Sequence, residues 1–229
     1  MHRVYAVAMD HLRPDECRAL GTLIEKAMTV PGQYPLSLNS LVTGINQKSN
    51  REPVVEIDED RTLRAVDGLR GKGFARDVNF TGSRVEKYRH TAGEKLDARA
   101  PELAILSELL LRGPQTVGEL RGRASRMHPF DSLEAVESVL SGLANREEPL
   151  VKEYPPLPGS RAPRWAQLLC PDLHPITAGA WPSAEASAPV SSSREAQPDQ
   201  RDERLAVLES RVAELERAIS ELRTSLGVS

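Results

Sequence analysis

A catalytic or metal-binding protein needs nucleophiles, bases or ligands at workable spacing, and this chain of 229 residues offers few. Its histidines, His2, His11, His90, His128 and His174, stand apart without paired ligand spacing, and neither Cys17 nor Cys170 belongs to a CxxC. There is no GxxxxGK loop to cradle phosphates, no GxGxxG turn and no GxSxG elbow. Asp58, Glu59 and Asp60 form a carboxylate cluster. It falls at a predicted helix start, where capping and the helix dipole account for it. Cys17 recurs with Leu20, Ile24 and Ala27 at helical spacing, which makes it a core residue. No metal, no cofactor and no enzyme activity is expected, because no nucleophile and base pair can be named.

Basic residues are more informative because they concentrate. Residues 1–99 hold 16 Lys and Arg against 14 Asp and Glu, residues 100–175 hold 8 against 10, and residues 176–229 hold 6 against 9. Only the first segment is positive, so a polyanion would meet the protein there. The candidate nucleic-acid contacts are Lys48, Ser49, Asn50 and Arg51 in a connection, Arg61 and Arg64 on a helix, and Arg84, Lys87 and Arg89 on a hairpin with Tyr88. Lys and Arg would release counterions, while Ser49, Asn50 and Ser83 would donate to phosphate oxygens. The plainer alternative is a solvated charged face, because Glu59, Asp60 and Asp67 share the helix with the arginines. In the middle segment Arg121, Arg123 and Arg126 lie where a phosphate could touch them, but the helix that follows offers Glu134 and Glu137, so a protein contact is expected for that face.

The elements that position these residues come in two similar sets. Pro14, Asp15 and Glu16 open a helix; a second runs from about Ser37 with Leu38, Leu41, Val42 and Ile45 on one face. A third is capped near Asp58, carries Leu63, Val66 and Leu69, and stops at Gly71 and Gly73. Strands at 74–80 and 85–90 flank Thr81-Gly82-Ser83 as a hairpin. The second set has a helix with Leu103, Leu106, Leu109 and Leu110 that ends at Gly113-Pro114, another at 116–124, and a third with Leu133, Val136, Leu140 and Leu143 behind a capping box of Asp131 and Glu134. Strands at 150–154 and 164–169 close it, and Ser83-Arg84 to Tyr88 is echoed by Ser160-Arg161 to Trp165. Three helices and a two-stranded wing make the winged-helix plan. A third helix of this kind can enter the major groove while the wing follows a phosphate backbone.

Composition shifts after Pro175. Residues 176–200 contain six Ala, five Ser and three Pro and read as a flexible linker. Beyond it Leu205, Leu208, Val212, Leu215, Ile219, Leu222 and Leu226 alternate steps of three and four, a coiled-coil seam. Arg204 and Arg211 would face Glu209 and Glu216 of a parallel partner, so a parallel homodimer is expected, the alternative being one amphipathic helix docked on its own chain. The expected fold is therefore mainly α with small β-hairpins: an arm at 1–11, tandem winged-helix domains at 12–97 and 98–175, the linker, and a coiled-coil helix at 201–229. The apolar run at 4–9 is far too short to span a membrane and lacks a cleavage site, and two cysteines fit a reducing compartment, so a cytoplasmic location and no membrane contact are expected.

Several runs also resemble the bacterial YceH family over roughly residues 12–172: Leu23-Ile24-Glu25-Lys26, Gln33 to Asn39, Asn46-Gln47-Lys48-Ser49-Asn50-Arg51-Glu52-Pro53-Val54, and Gly82 to His90. Glu52 stands where that family more often has Asp, and the third helix here opens on more acid. The resemblance implies tandem winged helices in a bacterial cytoplasm with a DNA-binding or regulatory role. Two functions follow as expectations. One is a regulator that binds double-stranded DNA through its first module and dimerises through the coil. The other is a scaffold for a protein partner, with tandem winged helices and no DNA binding of its own.

Overall fold

The computed structural model describes residues 11–78, 85–156 and 159–174. Helix α1 (Pro14–Thr29) begins at a proline, whose missing N–H would have had no partner in the first turn, and Glu16 Oε2 accepts from the Arg13 amide at 2.8 Å. Strand β1 (Leu36–Ser37) runs straight into α2 (Leu38–Ile45), where Ser37 Oγ accepts from the Ser40 amide at 3.2 Å. Helix α3 (Glu59–Gly71) is capped by Asp58, which accepts from the Arg61 amide at 2.7 Å. Gly73, with φ +76, then turns the chain into β2 (Ala75–Val78), which pairs antiparallel with β3 (Lys87–His90). The predicted hairpin is thus present. In addition β1 joins the other edge of β3, with Leu36 opposite Tyr88, to give the order β1-β3-β2.

A short α4 (Ala92–Leu96) leads to the second set: α5 (Ala100–Arg112), α6 (Val117–Ala124), α7 (Leu133–Ala144), then the antiparallel pair β4 (Val151–Tyr154) and β5 (Arg164–Gln167). Helix α6 opens on a reciprocal cap: Glu119 Oε2 accepts from the Thr116 amide at 2.8 Å and Thr116 Oγ1 from the Glu119 amide at 3.2 Å. The cap expected at Asp131 falls one residue later, where Ser132 Oγ accepts from the Ala135 amide at 3.2 Å. The described residues therefore form seven α-helices and two small antiparallel sheets. No described helix is long and apolar enough to cross a membrane. Residues 1–10 of the arm, the linker at 176–200 and the coil residues Leu205, Leu208, Val212, Leu215, Ile219, Leu222 and Leu226 lie outside the described residues.

The two sets share one core. Helix α1 packs along α5, and one continuous cluster runs from Leu20 and Leu23 through Leu106 and Leu110 to Leu140 and Leu169. Cys17 is buried in it as expected, and burial pushes its thiol well up, which leaves a poor nucleophile. The helices approach closely because Gly21 lacks a side chain: a Cβ there would stand 2.9 Å from Leu111 Cγ. Ser107 Oγ uses the space to donate to the Gly21 carbonyl at 3.0 Å. Gly113 is tight for a second reason, since its φ is +75 and a Cβ would meet the His174 ring at 2.7 Å. Gly113→Ala is expected to cost about 2 kcal/mol in urea unfolding through overpacking and backbone strain.

Candidate nucleic-acid interface

Lys48, Ser49, Asn50 and Arg51, expected as phosphate contacts, lie in the loop between α2 and α3. Asn46 pins it, donating to the Ile57 carbonyl at 2.8 Å and accepting from the Ile57 amide at 2.9 Å. Asn50, at φ 59, supplies the left-handed turn that a short polar residue tolerates. Lys48 and Ser49 stay exposed and Asn50 is half-buried. Arg51 does not stay at the surface: it turns inward and is buried. Its guanidinium meets Glu25 Oε2 at 2.6 Å and Oε1 at 3.3 Å, donates to the Gly44 carbonyl at 2.7 Å, and reaches Gln47 Oε1 at 3.1 Å. A planar fork with five donors is the side chain best suited to such a many-acceptor hole, so Arg51 holds the core and is no phosphate contact.

The remaining basic residues are partly answered by acids. Arg61 grips Asp15 through two bonds of 2.9 and 3.1 Å, and Arg89 lies 3.8 Å from Glu94. Arg64 is exposed and lines a groove with Arg13, Asp15, Glu16, Arg61 and Ala65. Burial would raise the Glu16 carboxyl there, but Lys72 at 2.7 Å and Arg13 outweigh it and hold it low. On the hairpin Lys87 stands opposite both Ser37 and Val78, while Tyr88 is buried and donates to Glu86 at 2.8 Å. Arg84 lies outside the described residues. Along α3, Arg70 is shared by Asp67 at 3.0 Å and Asp77 at 2.9 Å. Of the expected contacts in the described residues, Lys48 and Arg64 are the two exposed cations for which no acid stands within ion-pair distance.

Beneath this face lies a cluster that the sequence reading missed. Glu25, buried on α1, also meets Arg126 at 2.6 Å, and Arg126 reaches across to Glu108 of α5 at 2.6 Å. Burial raises Glu25, yet Arg51 and Arg126 outweigh it and keep the carboxyl below its ordinary value. Arg18, fully buried one face-turn away, donates to the carbonyls of Leu111 at 2.7 Å, Pro53 at 2.7 Å and Glu52 at 3.1 Å. The Glu52 amide returns a bond to Leu111 at 2.8 Å, and His174 Nε2 donates to the Glu52 carbonyl at 2.5 Å. The polar run at 46–53 is thus the joint between the two sets of helices. A signal did exist: Arg18 and Glu25 fall seven apart with Gly21 between them, a stripe too small and too sparsely charged for a solvent face.

These features define a protein of seven α-helices and two small antiparallel sheets with a polar joint and, among the described residues, no group of three or more His, Cys, Asp or Glu placed to hold a metal ion. A family profile described as "Protein of unknown function, DUF480" matches residues 12–160, and the chain belongs to that family. It is 54% identical to a UPF0502 protein of Citrifermentans bemidjiense over 71% of this chain and 76% of the relative. It is 50% identical to one of Geobacter sulfurreducens over 87% and 88%, and 47% identical to one of Geotalea uraniireducens over 93% and 97%.

Proposed function

We propose that the protein is a non-enzymatic cytoplasmic scaffold that presents two winged-helix modules to a protein partner. In this reading α1, α2 and α3 with the β2-β3 hairpin form one module, and α5, α6 and α7 with β4-β5 form the other. The order of elements and the YceH-like runs support that assignment. The terminal segment, with its seam from Leu205 to Leu226, would pair two copies. The observation that carries the scaffold reading is apolar exposure on the elements that a duplex would otherwise meet. Leu63 on α3 is 37% exposed and Val54, in the loop before it, 56%. Leu133, in the first turn of α7, is 43% exposed. Exposed leucines on both third helices suit a protein surface better than a phosphate backbone, and on α3 Arg61 and Arg70 are already engaged by acids.

A second reading, DNA binding by the first module, draws on the exposed cations Lys48 and Arg64, which meet no acid among the described residues. A duplex titration across salt separates the two. The scaffold reading expects no saturable binding at about 150 mM salt, and a photo-crosslinking residue at Leu63 or Leu133 to capture one defined protein in cells. Saturable binding whose salt slope flattens by about two units in Arg84→Ala with Lys87→Ala would establish the DNA reading instead.

A further inference from the structure

The joint between the two sets of helices holds more positive than negative charge. Arg18, Lys26, Arg51, Arg112, Arg123 and Arg126 converge there, against Glu25 and Glu108 within the joint and the Glu52 carboxylate acting on Arg18. Glu119, 3.6 Å from Arg123, is shared with Arg164 at 3.3 Å and leaves the balance unchanged. Three of these guanidiniums reach the rim. Arg123 and Arg126 are each 31% exposed at the side chain, and Arg112 is half-buried.

Arg112 is the distinctive member. It ends α5, one turn after Glu108, so both project from the same side of the helix. Glu108 spends Oε1 on Arg126, and its other oxygen is buried without a partner. The Arg112 side chain makes no hydrogen bond or ion pair among the described residues. Arg123 is anchored nearby on Gln115 Oε1 at 2.8 Å, and Gln115 in turn donates to the Glu108 carbonyl at 3.2 Å. Burial together with Arg123, Arg126 and Arg51 pulls Arg112 below its ordinary value, against a smaller opposing pull from Glu108. Half-buried guanidiniums that crowd one another gain most from an anion placed between them.

We propose that Arg112 and Arg123, backed by Arg126, bind a phosphate group carried by a small molecule. Guanidinium forks match phosphate oxygens bidentately, and a dianion offsets more of the excess charge than a single carboxylate does. Half-burial suits a compact ligand, because an extended nucleic-acid backbone needs cations that stand clear of the surface. This site is separate from the third helices on which the scaffold reading rests.

The test is thermal unfolding of the full chain in potassium chloride, sodium phosphate, pyrophosphate or adenosine monophosphate, all at one ionic strength. At ten times its Kd a phosphate ligand should raise Tm by about 4 °C over chloride. Arg112→Gln should leave Tm in chloride unchanged or higher, since it removes repulsion and no bond, while losing most of the phosphate shift. If that variant fails to fold, Arg123→Gln in isothermal titration should weaken pyrophosphate at least tenfold. Equal melting in phosphate and chloride overturns the proposal, as does a phosphate shift that survives in the variant. Binding of a DNA duplex that depends on Arg112, with no response to the small phosphates, overturns it as well.

Discussion

Glu25→Ala is expected to be the most damaging single substitution in the molecule, with a loss of about 4 kcal/mol and about 12 °C in Tm. The carboxylate is buried, and its removal takes from Arg126 one of its two acids and strands Arg51, which has no exposed side-chain surface and no other acid among the described residues. An unpaired charge in that position can neither reach water nor find another carboxylate, which is why breaking such a pair costs more than the pair contributes when intact. The exposed pair of Arg61 and Asp15 provides the contrast. Its partners are 46% and 32% exposed, so Arg61→Ala should change stability by less than about 1 kcal/mol. Urea unfolding of both variants checks the difference. Equal effects would mean that Glu25 is not the keystone of the joint.

Stability should also fall steeply as the pH drops from about 6.5 to about 4. His90 and His174 are both lowered to about 4, in each case chiefly by burial, with Arg89 adding to the effect on His90 and Arg18 to that on His174. In this window the unfolded chain takes up protons at both positions and the folded chain does not, so each pH unit lost should cost up to about 2.7 kcal/mol, the equivalent of two protons. Each histidine contributes up to about 3 kcal/mol of stability, complete above the unfolded value and gone below the folded one. Below about pH 4.5 the loss continues for a different reason, because Glu16 and Glu25 sit below their ordinary values and their pairs dissolve on protonation. Urea midpoints measured from pH 7 to 4 check this. His174→Leu should halve the slope near pH 5, and an unaltered slope would mean that His174 already charges inside the fold.

How far the fold could be read from the chain follows from the range of the interactions that shape it. Pro14, Ser37 and Asp58 announce their helices because first-turn amides are answered by neighbours three residues away. Ser132 escaped notice because Asp131 beside it has equal capping chemistry, and only backbone geometry chooses between them. Strand β1 exists only through pairing with β3, some fifty residues on, and two residues carry no period of their own. The site suffered most from distance. Arg51, in a loop, reads as a surface base because its acid is 26 residues away on α1, and Arg126 lies 101 residues from Glu25. Charge counts reported where the cations are in the sequence but not which of them burial had already claimed.

The close seating of α1 against α5 has one more consequence. Leu63 and Leu133 ride on a common core, so the span between them is a property of the fold, as fixed as the length of a ruler. A partner that touches both cannot draw them together or apart. It must itself carry two matching footholds at that interval, and a partner with only one would forgo the second attachment and the gain in effective concentration that comes with it.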